Sequence, residues 1–348
     1  KLYWFIKSNS VDAILEQSGD TTHAVIIDTK ANTSRAVLKF PNTIITSINI
    51  IDDLLIWTDG TNEPRRINIE RYKLGNQSFS SLSTAQHTKL IIDEEVVTKE
   101  IIVESNHTSV STSITDIELI STVSLDIDDE LIAIRDITYT APFPTITAID
   151  GNTITLSSSV LGSSSISPQD ELVFKRTERV KEEHITAIKK NPLRPLNVVK
   201  TTEDDESKIN PLFEKIFPRF SYRYRYEDGE YSTYAPFTDV VFESTWGSDP
   251  SGTQYDIDDA YGVKEPYNNA MRNMLRSVEL NGFVSPTIPK DVVQIDLLYK
   301  REDSNVIYIL EVLDKDSLEW SNVGDVGSEY SGSFEINADN IYAAIPEN

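Results

Sequence analysis

The residues of this 348-residue sequence best suited to proton transfer or metal ligation are four histidines, His23, His87, His107 and His184. An imidazole needs company to do chemistry: a second ligand one helical turn away for a metal, or a nucleophile in a recognisable setting for acyl transfer. No two of the four lie at helical spacing from each other, no serine lies in a nucleophile-elbow pattern, and no Gly-rich phosphate loop is present. Carboxylates are another matter. With 56 acidic residues, two that lie close in sequence say almost nothing about a catalytic pair. Two clusters raise a calcium question, since that ion takes several oxygen ligands: "DIDDE" at 126–130 and "DPSGTQYDIDD" at 249–259. Neither has EF-hand spacing, and solvated loops are the expectation. Three Asn-x-Ser/Thr triplets, at Asn32, Asn76 and Asn106, read as chance without a secretory signal. No catalytic residue, metal or cofactor is assigned.

Aromatic residues offer a second chemistry, stacking on a base or a sugar. In "RFSYRYRYEDGEYSTYAPFTDVVF" (219–242), Phe220, Tyr222, Tyr224 and Tyr226 alternate with Ser221, Arg223 and Arg225, a period of two that specifies a strand. Asp228-Gly229 supplies the turn of a hairpin. Arginine interleaved with tyrosine suits single-stranded nucleic acid. The chain's balance of 32 basic to 56 acidic residues, a formal charge of −24, makes two arginines a poor track. An aromatic core face with solvated or salt-bridged arginines is the simpler expectation. Trp57, in "LLIWTDGTNEPRRINI", precedes an Asp59-Gly60 pair that favours a turn with positive φ, and Pro64 stiffens the return. It is expected to cover that turn and pack between neighbouring sheets. Trp246, in "ESTWGSDPSGTQY", is the best candidate for sugar stacking, because its neighbours read as a loop.

The elements that would position these residues are short and β-forming. A hydrophobic fraction of 39% with 9% aromatics is that of a folded protein. The acidic excess argues against a protein that grips a phosphate backbone, since such grip comes from clustered Lys and Arg. Cysteine is absent, so disulfides and thiolate metal sites are impossible. No apolar run approaches the ~20 residues needed to span a bilayer, and no signal peptide is visible. The chain opens in strand-like sequence without Met and stops at "IYAAIPEN", and is read as a piece of a longer polypeptide.

Residues 1–78 resolve into "KLYWFIK", "DAILEQ", "HAVIIDT", "RAVLKF", "ITSINII", "LLIWTD" and "RRINIERY", separated by turn formers. Four strands make one propeller blade, and Trp4 and Trp57 lie 53 residues apart, near the ~40–50-residue blade period. Residues 79–180 read as an inserted small β module, a barrel or sandwich. Residues 181–218 follow as a return strand and connector held extended by Pro192 and Pro195, with a short helix in "NPLFEKIF" capped by Asn210. Residues 219–348 suggest a sandwich like immunoglobulin or fibronectin modules. It contains one helix, 268–281, with Met271, Met274, Leu275 and Val278 on one face and Asn281-Gly282 ending it. The fold class is therefore all-β: propeller-like blades, an inserted β module and a C-terminal sandwich.

"LLIWTDGTNEPRRINIERY", "EEHITAIKKNPLRPLNV", "FSYRYRYEDGEYSTYAPFTDVVF" and "VVQIDLLYKREDSNVIYILEVL" occur here in the order in which similar stretches occur in one phage family. The chain resembles the tail nozzle, or muzzle, proteins of short-tailed phages, most closely those of crAss-like phages. The resemblance covers most of the chain outside the insertion. It implies a non-enzymatic virion protein: a propeller platform with inserted modules, assembled as a homo-oligomeric ring, typically of six copies. It further implies that the ring continues the portal channel and meets other tail proteins and fibres. Phage DNA would pass through without specific binding, and no membrane segment is implied. The alternative left open is a carbohydrate- or receptor-binding β module of a phage fibre or bacterial surface protein.

Overall fold

The computed structural model describes residues 1–29, 36–76, 87–107, 114–135, 137–160, 166–201, 213, 216–242, 273, 275, 277–315, 317–321 and 329–347. The remainder includes Trp246, Met271, Met274, the acidic run 249–259, most of "NPLFEKIF" and Asn32, so the expectations attached to those residues lie outside the described ones. The protein is all-β, and among the described residues every strand pairing is antiparallel and no sheet closes into a barrel. The chain divides into two units, Lys1–Ile185 and Thr186–Asn348.

The first unit opens with β1 (Leu2–Lys7), β2 (Val11–Ser18) and β3 (Thr21–Thr29), which form one three-stranded sheet, and β4 (Ser47–Ile51), β5 (Leu54–Thr58) and β6 (Arg65–Asn68), which form another. Ile14 and Ile26 of the first sheet and Leu55, Trp57 and Ile67 of the second share one core, and the Phe5 ring meets Trp57 edge-on at 5.8 Å. Two expectations fail here. "RAVLKF" forms no fourth strand; its described residues 36–40 are a loop whose amides go to side chains instead of a neighbouring strand. "RRINIERY" is a strand only to Asn68, whose side chain accepts from the Arg71 amide at 3.0 Å and caps helix α1 (Ile69–Leu74).

The chain then runs through a two-residue pair, β7 (Ile91–Ile92) and β8 (Glu95–Val96), into β9 (Thr98–Glu104). Next come β10 (Ile114–Glu118), β11 (Glu130–Ile134), β12 (Ile137–Thr138), β13 (Ile146–Asp150), β14 (Thr153–Val160) and β15 (Glu171–Thr177). Their two sheets, β12-β11-β15-β9 and β10-β14-β13, enclose a separate core around Ile117, Leu131, Ile154, Leu172 and Phe174. Entry and exit lie side by side. Strands β9 and β15 pair from Glu104↔Glu171 to Thr98↔Thr177, and the ladder continues outward as Glu178 N–H donates to Val97 and Val180 N–H to Thr88. Val180 and Ile185 rejoin the first core, so 181–185 is no return strand but the short helix α2 (Glu182–Ile185).

The second unit contains β16 (Asn197–Thr201), β17 (Pro218–Tyr226), β18 (Ser277–Val284), β19 (Val292–Arg301), β20 (Ile307–Asp314), α3 (Leu318–Ser321), β21 (Ser331–Ile336), α4 (Ala338–Ala343) and β22 (Ile345–Pro346). The connector residues 197–201 are thus a strand of this unit. Sheets β17-β19-β20-β22 and β16-β18-β21 contribute to one apolar core. On β17, Phe220, Tyr222 and Tyr224 lie opposite Tyr299, Leu297 and Ile295 of β19, all buried. The expected helix 268–281 is corrected at its described end, because 277–284 is the central strand of the second sheet. Val278 belongs to the expected helical face, but Val278 and Leu280 together have the period of two of a strand, pairing on both sides overrides the local pattern, and Gly282, read as a helix stop, is a positive-φ residue (+77°) at a bulge.

The second arm of the 219–242 hairpin is not a regular strand. The amides of Ser232, Ala235, Thr238 and Val241 donate to the carbonyls of Tyr224, Tyr222, Phe220 and Pro218 at 2.8–2.9 Å. Three residues of this arm therefore span the about 6.6 Å taken by two residues of β17. The contraction carries arm carbonyls out of register, and hydroxyls take over: Tyr224 N–H donates to Ser232 Oγ and Phe220 N–H to Thr238 Oγ1, both at 3.0 Å. The Tyr224 and Phe220 donors along this buried edge are thereby satisfied.

Candidate functional site

The first unit contains a cleft of about 560 Å³ where its two cores meet, lined by Ala36, Val37, Lys39, His87, 126–129 and 176–183. The inserted-module wall is built by β15 and the loop before β11. Arg176 grips Asp129 with two hydrogen bonds, 2.7 and 2.6 Å, and Arg179 reaches Asp128 at 2.7 Å. The opposite wall pairs Lys39 with Glu182 at 2.5 Å. On each wall a cation meets an acid, and bidentate pairing fixes the Arg176 guanidinium plane. Thus Asp128 and Asp129, from the cluster raised for calcium, face protein cations. Among the described residues no three His, Asp or Glu side chains gather as a metal site.

Behind the cleft lies a polar centre that holds the 36–40 loop. Asp12 and Asp28 are directly opposite on β2 and β3, and both are fully buried. Asp28 accepts from the amides of Val37 at 2.8 Å and Leu38 at 2.7 Å, and Asp12 from Phe40 at 3.3 Å. The loop's carbonyls meet Arg65, whose guanidinium donates to Val37 O at 2.6 Å and to Leu38 O, and reaches Glu182 at 3.1 Å. Burial pushes the Asp28 carboxyl up, against the pull of the two amides and His87; burial likewise lowers Arg65. His87 Nδ1 lies 3.8 Å from Asp28, and its Nε2 lies 3.0 Å from the Val180 carbonyl. This is a clamp on backbone, in which Asp28 Oδ2 takes two loop amides and Arg65 Nη1 two loop carbonyls, while the buried Asp28 Oδ1 and Arg65 Nε have no hydrogen-bond partner among the described residues. Sequence reasoning missed Asp12, Asp28 and Arg65. The available signal was an acid set inside each of two apolar runs, "SVDAILEQ" and "HAVIIDT".

The sequence-designated residues do not converge. Trp57 is buried and faces Phe5, whereas Trp4 is half-exposed on β1, its indole N–H donating to Gln17 Oε1 at 3.2 Å, so the two are not equivalent positions of a repeat. Asp59 is buried at the β5–β6 turn and accepts from the amides of Thr61 and Asn62 at 2.9 and 2.7 Å. Burial raises its carboxyl, but those bonds and the Arg65 charge outweigh this and leave it below the usual range. Gly60 follows at φ +73°. Tyr222, Tyr224 and Tyr226 are core residues; burial pushes Tyr222 up to about 12 and raises Tyr224 as well. The Tyr226 hydroxyl donates to the Lys190 carbonyl. Between them, Arg223 pairs with Asp296 at 2.8 Å and with Glu347, while its guanidinium covers the Tyr231 ring at 3.9 Å. Asp228-Gly229 makes the turn, with Gly229 at φ +80° and its amide donating to Tyr226 O at 2.8 Å. The histidines also stay apart: His23 is exposed on β3, His107 Nδ1 accepts from the Glu118 amide at 3.5 Å, and His184 Nδ1 from the Lys181 amide at 3.0 Å.

No protein-family model matches the chain, and no curated protein matches it. Among the described residues, no helix is long and apolar enough to cross a membrane.

Proposed function

We propose that the chain is a structural subunit of a phage tail nozzle ring, working in the virion by assembly and conduit and not by catalysis. One observation carries the reading: the stretches that resemble the nozzle family fall on framework. "LLIWTDGTNEPRRINI" is β5, the Asp59 turn and β6; "FSYRYRY" lies on β17; "VVQIDLLYKREDSNVIYILEVL" is the β19–β20 hairpin. On this reading the two three-stranded sheets are blades of a propeller-like platform, residues 98–177 are its inserted module, and the second unit is an immunoglobulin- or fibronectin-like sandwich. The formal charge of −24 then serves the conduit, because an acidic wall repels DNA and keeps it from sticking. Labelling the source particle with an antibody against this chain tests the proposal. Label at the distal end of a short tail, on a closed ring, is the expected outcome; label elsewhere, or none, overturns it.

The rival, a carbohydrate-binding module, draws on the half-exposed Trp4 beside exposed Leu2. Glycan-array binding abolished by Trp4→Ala would favour that rival.

A further inference from the structure

We infer that Lys189 and Asp291 condense into an isopeptide bond, an amide between their two side chains that staples the start of the second unit to the foot of β19. The inference is independent of the ring reading.

Burial is the first observation. Both residues belong to the second unit. Lysine and aspartate are almost never taken fully out of water. Here their side chains are 3% and 1% exposed, and Lys189 Nζ donates to Asp291 Oδ2 at 3.3 Å. Among the described residues, the next most buried lysine–carboxylate pair, Lys73 with Glu16, leaves the lysine 16% exposed. Lys189 Nζ also lies 5.1 Å from the centroid of the buried Tyr226 ring, so one wall of the site is aromatic.

Fixed backbone is the second. The Tyr226 hydroxyl donates to the Lys190 carbonyl, and Lys190 Nζ donates to the Thr287 carbonyl at 3.3 Å. On the other side, the Glu227 amide donates to the Asp291 carbonyl at 2.9 Å and the Val292 amide to the Pro289 carbonyl at 3.2 Å. Well-oriented groups held in contact react as if at concentrations of ~10⁵ M or more. The carbon to be attacked is one bond from the oxygen that Nζ already touches.

The chemistry balances within the pair. Keeping two charges out of water is costly, and passing one proton from Nζ to Oδ2 removes both. The Nζ lone pair then forms a bond to Asp291 Cγ. Nζ gives a second proton to the protonated oxygen, which leaves as water. A neutral secondary amide remains, with one N–H and one carbonyl, and a site closed to solvent admits little water to reverse the step. The bond joins positions 102 apart in sequence, so unfolding could no longer part the connector from β19.

Intact-mass spectrometry of the purified whole chain in denaturant, followed by proteolysis, tests this against a permanent buried salt bridge. The expected wild type is lighter than its sequence by one water and yields a branched peptide joining the segments that carry residues 189 and 291. Lys189→Arg, which keeps the charge, and Asp291→Ala should both run at full mass. The branched peptide comes from the wild type alone, so it stands even if a variant misfolds. Water lost as a succinimide at Asp59-Gly60 or Asp228-Gly229 would persist in Lys189→Arg and give no branched peptide. A wild type of full mass, or a missing water that survives Lys189→Arg, overturns the isopeptide bond.

Discussion

Strands β17 and β4 are both outermost in their sheets, and the chain treats them in opposite ways. The edge of β17 is covered by the segment that follows it, which lays an amide or a hydroxyl against each second residue. The side chains on that strand's outer face are tied down as well, Arg223 to Asp296 and Arg225 to Gln294. The edge of β4 is flanked by a loop on one side and a turn on the other, and the chain spends no charge on it. One edge is closed by intramolecular bonding and carries stability. The other leaves Ile48, Ile50 and Ile51 half in water.

Substitution tests this contrast directly. The largest effect is expected at Arg223→Ala, which leaves buried Asp296 without its partner; urea unfolding should show a loss of about 3–5 kcal/mol. An unchanged midpoint would mean that the closed edge does not rely on that pair. Next is Glu16, which ties β1 to its neighbours by accepting from Tyr3 at 2.6 Å and Lys73 at 2.6 Å. Burial raises this carboxyl, but bonds from Lys73 and Tyr3 win and hold it at about 2. Its folded value lies below the ordinary one near 4.5, so its contribution is complete above that pH and is lost as pH falls from there towards 2. Glu16→Gln should cost about 1.5–3 kcal/mol at neutral pH and flatten the acid limb of a stability–pH curve.

A smaller loss, about 1 kcal/mol each, is expected for Ser232→Ala and Thr238→Val, which remove the hydroxyls that stand in for arm carbonyls. Faster exchange of the Tyr224 and Phe220 amides would accompany it. Smallest of all is Ile50→Thr, expected within about 0.5 kcal/mol of wild type in the isolated subunit because the side chain is half in water. A large destabilisation there would show that β4 is already covered within one chain.

Much of this contrast could be read from residue order and some of it could not. Period two in "FSYRYRY" marks a strand with one buried face, and Asp-Gly at 59–60 and 228–229 marks turns that need positive φ; these are local signals with local causes. The failures have non-local causes. "RAVLKF" looks like a strand, but Asp12, Asp28 and Arg65, distant in sequence, capture its backbone groups and hold it as a loop. Helical spacing over 268–281 gives way in its described part, because two flanking strands offer 277–284 a full set of pairings. The three-to-two arm after Tyr231 is likewise invisible beforehand, since nothing but the partner strand sets its contraction.

The stem at the base of the inserted module has a consequence for the history of the chain. Since β9 and β15 leave the first core side by side, with Thr98 opposite Thr177, everything between them can be exchanged without moving the ends that remain. A tight turn joining residues 97 and 178 should leave a foldable remainder, and an unrelated domain with adjacent termini should be tolerated at the same point. A lineage of such proteins would be free to trade this cassette while keeping the scaffold that carries it.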